Sequence, residues 1–260
     1  MSPSTSALEI HQFPCLSDNY GVLIHDPQAD VTASIDAPDA DAVETALKEK
    51  GWTLTHILTT HHHADHTGGN AALKAAHGCH IVGPRPEQAK IPGIDEPVGE
   101  GDTAQFGNHT ARVFETPGHT AGHISYWFED AGVAFVGDTL FALGCGRLFE
   151  GSAETMWTSL QKLMKLPEDT VIYCGHEYTL ANAEFALTVD PQNAALKDRA
   201  EEIRTQRAAG QPTLPTTLGI ELATNPFLRA ADPGLRRSIG LPDAADWEVF
   251  AEVRHRKDNA

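Results

Sequence analysis

Cysteine is scarce and scattered. Cys15, Cys79, Cys145 and Cys174 form no CxxC pair, so neither a zinc finger nor a disulfide framework is indicated, and reduced thiols in a cytoplasmic protein are expected. Long apolar runs are also missing: nothing approaches the roughly 18 residues that a membrane span needs. The opening MSPSTSALEIHQF has no basic start and no apolar stretch behind it, so no signal peptide is read there. Cations are outnumbered, with 19 Lys and Arg against 36 Asp and Glu, for a formal net charge of −17. A surface of that sign repels nucleic acid and anionic membranes, so neither is expected as a partner. No internal repeat stands out, nor any low-complexity segment beyond one histidine cluster.

With 260 residues, 41% of them hydrophobic and 21% charged, the chain suits one large domain or a medium domain with a smaller appendage. A core of that size closes without staples, so a metal ion here would be working rather than structural. The first two thirds alternate short strands with helices. Strands are expected at 20–26, 33–38, 54–60, 80–84, 110–118, 123–130, 131–138 and 169–176. Helices are expected at 39–51 and 67–78, each stopped by a glycine, and at 153–166. That texture implies sheets covered by helices, an α/β layered domain. After 177 it changes: a polar helix at 193–210, a Pro/Thr linker at 211–219, and a closing helix at 243–258 capped by Asp243 or Asp246. The reading is a domain at 1–177 followed by a small, mostly helical C-terminal domain at 178–260.

The densest chemistry lies in HHHADH, residues 61–66. His61 and His63 are two apart on an extended segment and point the same way. Asp65 and His66 follow after the chain has begun to turn. One loop therefore offers two differently directed ligand pairs, more than a single ion can easily take. His62 falls between the ligands and should point away. Three later strands repeat one grammar, an apolar run ending in a polar residue: His119, Asp138 and His176. Each sits beside a glycine that permits close backbone approach. Imidazole and carboxylate donors without thiolate suit zinc, iron or manganese, and argue against a structural zinc site.

HHHADH, PGHT, GDTLF and GHEY, in this order, resemble the metallo-β-lactamase superfamily. The resemblance implies an αββα sandwich with a dinuclear site. It puts His61, His63, His119 and Asp138 on one divalent ion and Asp65, His66, Asp138 and His176 on the other, with Asp138 bridging; zinc is the first choice, iron or manganese the alternatives. GDTLFALGCGRLFEG, YCGHEYT, NPFLR and RHRKD look further like glyoxalase II, the hydroxyacylglutathione hydrolases. That resemblance spans nearly the whole chain. It implies hydrolysis of S-(2-hydroxyacyl)glutathione thioesters, S-D-lactoylglutathione to D-lactate and glutathione, by a metal-bridged hydroxide, the second step of methylglyoxal detoxification.

In the same reading Asp65 and Asp138 are catalytic, and Arg147, Phe149, Tyr178, Arg254 and Lys257 hold the glutathione part. Two positions depart from the better-known members. Arg147 stands where Lys is common, which keeps the charge but changes donor geometry. Phe149 stands where Tyr is common and lacks its hydroxyl. Arg254 and Lys257, three apart on an expected helix, share a face and suit a dicarboxylate. The chain is expected to act as a monomer. Rival readings are a mononuclear iron glutathione-persulfide dioxygenase using His61, His119 and Asp138, another dinuclear metal hydrolase such as a lactonase, and a non-enzymatic metal binder.

Overall fold

The computed structural model describes residues 7–260; residues 1–6, part of the N-terminal stretch read above as lacking a signal peptide, lie outside the described residues. The contacts group into two compact units. One holds the chain up to Glu115 together with Gly122–Gly137, the other Thr116–Ala121 with Asp138–Ala260.

The first unit begins with β1 (Glu9–Cys15), β2 (Asn19–Asp26) and β3 (Val31–Ile35), then α1 (Ala40–Lys50), β4 (Leu54–Leu58), α2 (Ala64–Thr67), α3 (Asn70–His77), β5 (His80–Pro84) and β6 (Glu96–Val98). These six strands form one sheet in sequence order, antiparallel from β1 to β3 and parallel from β3 to β6. Helix α1 makes the β3–β4 crossover and α2 with α3 the β4–β5 crossover, the usual way of joining parallel strands. Helix α1 starts where the Asp39 side chain accepts from the Ala42 N–H and stops at left-handed Gly51; α3 stops in the same way at Gly78. Their apolar faces, with Val43, Leu47 and Leu73, close over Phe13, Leu23, Leu54, Ile57 and Ile81 of the sheet.

β7 (Thr103–Phe106), β8 (His109–Glu115), β9 (Ile124–Phe128) and β10 (Val133–Phe135) form an antiparallel meander. It touches the first sheet through the Tyr126 hydroxyl, which donates to the Thr59 carbonyl at 2.9 Å, and through the Ile124 N–H, which donates to Thr60 O at 2.9 Å. Both contacts fall at the end of β4, just before the histidine cluster.

The second unit carries the short pair β11 (Leu140–Phe141) and β12 (Gly144–Cys145), α4 (Ala153–Leu163), β13 (Val171–Tyr173), α5 (Thr179–Val189), α6 (Ala194–Ala208), β14 (Thr216–Thr217), α7 (Leu218–Thr224), α8 (Pro233–Ile239) and α9 (Asp246–Asp258). The region after 177 is helical, as expected. Helices α5 and α6 pack through Ala183, Ala186, Leu196, Ala200 and Ile203 against Leu143.

Several local expectations change. β1 and α5 were not anticipated. The stretch read as a linker ends in β14 and the start of α7. Neither Asp243 nor Asp246 caps the closing helix. Ala245 occupies that position, and its N–H donates to Glu248 Oε2 at 2.8 Å, so the carboxylate from the first turn does the capping instead. Among the described residues no helix is long and apolar enough to cross a membrane.

Candidate metal centre

The first unit holds four of the expected ligands. His61 Nε2 and His63 Nδ1 lie 3.2 Å apart. His61 Nδ1 faces Thr60 Oγ1 at 3.0 Å; with the proton there, Nε2 keeps its lone pair. The 3.2 Å separation suits a His63 Nδ1–H donating to His61 Nε2, and it equally suits two nitrogens on one cation, since bonds of 2.0–2.1 Å in a tetrahedron put ligand atoms about 3.3 Å apart. Asp65 Oδ2 and His66 Nε2, 3.7 Å apart, form the second pair. His66 Nδ1 lies 2.8 Å from Asp36 Oδ2, and donation to that carboxylate leaves Nε2 as the ligand nitrogen. His62 does point away: its ring and its N–H both meet Glu87 Oε2, at 3.0 and 2.8 Å.

Asp36 is the residue that sequence reasoning passed over. It is buried and has a φ of 55°, uncommon for a residue with a side chain. Its Oδ1 accepts from the Thr60 N–H at 2.7 Å, and its Oδ2 accepts from the Thr60 hydroxyl at 2.8 Å as well as from His66. Asp36, His61 and His66 place donor atoms close enough to share an ion. Both Asp36 oxygens already accept hydrogen bonds, which places Asp36 to orient His66. Asn19, also missed, donates to the Asp65 carbonyl at 3.1 Å and to its Oδ2 at 3.4 Å.

The second unit assembles the rest. Asp138 Oδ2 is 3.4 Å from His119 Nε2 and 3.3 Å from His176 Nε2, and all three residues are buried. His119 Nδ1 faces the Arg147 carbonyl at 3.0 Å, which again directs Nε2 inward. The bend after Asp138 is tight enough that a Cβ on Gly146 would collide with the Asp138 carbonyl. The Tyr178 ring stacks on His176, 4.8 Å between centroids and 3° between planes, and the exposed Phe149 ring meets His119 edge-on at 5.2 Å.

Arg254 is buried on α9. Its Nη1 donates to Cys145 O at 2.9 Å and its Nη2 pairs with Asp258 at 2.8 Å, while Nε has no hydrogen-bond partner among the described residues. Lys257 donates to Ala181 O at 3.0 Å. Burial lowers the Lys257 pKa, and the positive charges of Arg254 and Arg147 lower it further. Arg147, Arg254 and Lys257 thus form one cluster of like charge, joined to the ligand trio through the Arg147 backbone. Such a cluster favours an anion bearing carboxylates.

Comparison with known proteins places this geometry in a family. A family model described as the metallo-beta-lactamase superfamily matches residues 26–176, and one described as hydroxyacylglutathione hydrolase C-terminus matches 177–260. The hydroxyacylglutathione hydrolase of Brucella anthropi is 62% identical over 258 residues, 99% of each chain. The chain belongs to the hydroxyacylglutathione hydrolase family. The Rhizobium meliloti hydroxyacylglutathione hydrolase is 59% identical over 254 residues, 98% of this chain and 99% of that one. Among solved structures, ETHE1 from Myxococcus xanthus aligns with a TM-score of 0.68 at 26% identity, covering 95% of this chain and 90% of its own.

In this hydroxyacylglutathione hydrolase fold the donor set fits metal. The 3.2 Å spacing of the His61 and His63 nitrogens and the single Asp138 oxygen between two imidazoles are arrangements that a divalent cation stabilises. The four cysteines are free and buried. Burial pushes the Cys145 thiol up to about 11 and Cys174 up to about 12, so neither is a thiolate near neutrality. The folded chain holds these protons more tightly than the unfolded chain, whose thiols titrate near 8.5. Their contribution to stability is therefore complete below about pH 8.5 and declines as pH rises toward the folded values. A thiol-alkylating reagent at pH 7.5 should leave Cys145 and Cys174 unlabelled until denaturant unfolds the chain, as read by mass spectrometry; rapid labelling of the native protein would contradict this.

Proposed function

We propose that the chain hydrolyses S-(2-hydroxyacyl)glutathione thioesters, converting S-D-lactoylglutathione to D-lactate and glutathione in the second step of methylglyoxal detoxification. The carrying observation is the junction at Arg147: its carbonyl orients His119, and its side-chain charge belongs to the cluster with Arg254 and Lys257. One residue thus joins a metal-ligand set to a carboxylate-binding set, the two halves that a glutathione thioester requires. The relatives named hydroxyacylglutathione hydrolase support the same activity.

In this reading His61, His63, His119 and Asp138 hold one divalent ion, and Asp65, His66, Asp138 and His176 the other. We take the ions as zinc, with iron or manganese open to the same donors. When bound, they lower the pKa of water and polarise the thioester carbonyl. Asp65, held by Asn19, orients the attacking water, whose proton is released to solvent. Arg254, Lys257 and Arg147 bind the glutathione carboxylates, and Tyr178 and Phe149, set against His176 and His119, complete the contacts to the glutathione part. A C–O bond forms and the C–S bond breaks. The leaving thiolate needs no dedicated general acid, because it is a weak base, and takes its proton from water.

We further propose that residues 1–177 form the catalytic domain and 178–260 the substrate-binding domain, a division supported by the boundary between the two family models. The working form is a cytoplasmic monomer. Incubating metal-loaded protein with S-D-lactoylglutathione and following thiol release tests the activity, and an oxygen electrode with glutathione persulfide tests the dioxygenase reading. Thiol release without oxygen uptake is expected; oxygen uptake without thioester cleavage would overturn the assignment.

A further inference from the structure

The segment NPFLR, residues 225–229, has no part in the chemistry above, yet it is tightly built in. Asn225 Nδ2 donates to Phe141 O at 3.1 Å, Gly144 O at 3.0 Å and Glu221 Oε2 at 3.0 Å, while its Oδ1 accepts the Phe227 N–H at 3.0 Å. Phe227 is fully buried and stacks on Phe185 of α5, with 6.1 Å between centroids and 28° between planes. Phe250 braces it at 6.0 Å. Each ring of the stacked pair carries one cation. The Arg254 guanidinium lies 5.1 Å from the Phe227 centroid, and the Lys257 ammonium 5.2 Å from that of Phe185.

We propose that Phe185 and Phe227 form an aromatic shelf that positions Arg254 and Lys257 for the substrate's carboxylates, making these two rings specificity-determining residues that do not themselves touch substrate. The inference rests on the thioester-hydrolase reading above. Three like charges set close together repel one another: burial lowers the Lys257 pKa first, and the charges of Arg254 and Arg147 add to it. Ordinary pairing with carboxylates would relieve it but would occupy the N–H donors that must bind substrate. The electron-rich faces of Phe185 and Phe227 offset the charge without taking up a further N–H donor. Asp258 neutralises only the Nη2 side of Arg254. Asn225, by holding both the β11–β12 turn and the Phe227 backbone, keeps the shelf in register with Cys145, whose carbonyl anchors the same guanidinium.

Steady-state kinetics on two substrates tests this: S-D-lactoylglutathione and the lactoyl thioester of N-acetylcysteamine, which has no carboxylate on its thiol. Phe227→Leu and Phe185→Leu should each raise KM for the glutathione thioester about tenfold, with kcat and metal content unchanged and KM for the carboxylate-free thioester unaltered. Because leucine could loosen the core, stepwise fluorination of the Phe185 ring, which drains its face with little change of volume, provides the second arm; KM for the glutathione thioester should climb with each fluorine. Turnover with the same KM ratio between the two substrates in every variant would overturn the shelf. Failure of the wild-type chain to cleave either thioester would instead overturn the functional reading, and the shelf's role with it.

Discussion

Replacing Asp138 with alanine is expected to strip both ions from the protein. One oxygen, Asp138 Oδ2, faces His119 Nε2 at 3.4 Å and His176 Nε2 at 3.3 Å, so the sites assigned to the two ions share it. Removing it leaves two imidazoles on one side without the anionic ligand that balances a divalent charge. Metal-assisted activation supplies several kcal/mol of transition-state stabilisation, so loss of the ions should cut thioester hydrolysis by roughly 10³-fold or more. Elemental analysis of the purified variant, beside the wild type, checks the first part. Near-complete retention of one ion would contradict a bridging carboxylate. Circular dichroism checks that the variant is folded; Asp138 is small and lies among polar residues, so the core loses little apolar packing.

The second large effect concerns a residue that holds ligands without being one. Asp36→Asn keeps the volume, and asparagine tolerates the left-handed backbone found there. It replaces one of two acceptor oxygens by an NH₂ group. The remaining oxygen can still take the Thr60 N–H. The amide nitrogen then faces the Thr60 hydroxyl and His66 Nδ1, both of which currently donate to Oδ2. His66 must accept at Nδ1 and carry its proton on Nε2, the nitrogen assigned to metal. Metal affinity should fall about 10- to 100-fold, the usual cost of losing such a partner, with the fold intact. Competition with a chelator of known affinity measures it; an unchanged affinity would show that Asp36 does not set the His66 tautomer.

The proposed ligands stand out in the sequence because their chemistry is local. His61, His63, Asp65 and His66 fall within six residues, and the alternation of an extended segment separates them into two pairs. His119, Asp138 and His176 follow apolar runs in a repeated grammar. Asp36 obeys that same grammar directly after Ile35, the last residue of β3, but a single sequence does not distinguish a carboxylate that binds metal from one that orients a binder. Helix α5 was invisible for a different reason. TLANAEFALTV buries the polar Thr179 and Asn182 on its inner face and leaves Leu180 and Leu187 only partly buried, so the 3.6-residue alternation of polar and apolar positions is absent. The expected cap of α9 failed because Glu248 reaches back to Ala245, making an aspartate at the cap unnecessary. The pairing of Phe227 with Arg254 joins positions 27 residues apart in the chain, a contact no local pattern encodes.

The central claim is a thioester hydrolase whose ligands work as one dinuclear centre. Its most direct test is to titrate metal-free protein with zinc and, at each point, to measure bound metal by elemental analysis and the rate of S-D-lactoylglutathione hydrolysis by loss of thioester absorbance. The account predicts that hydrolysis rises to a plateau at two ions per chain and that a chelator abolishes it. No hydrolysis by protein carrying two ions would contradict it.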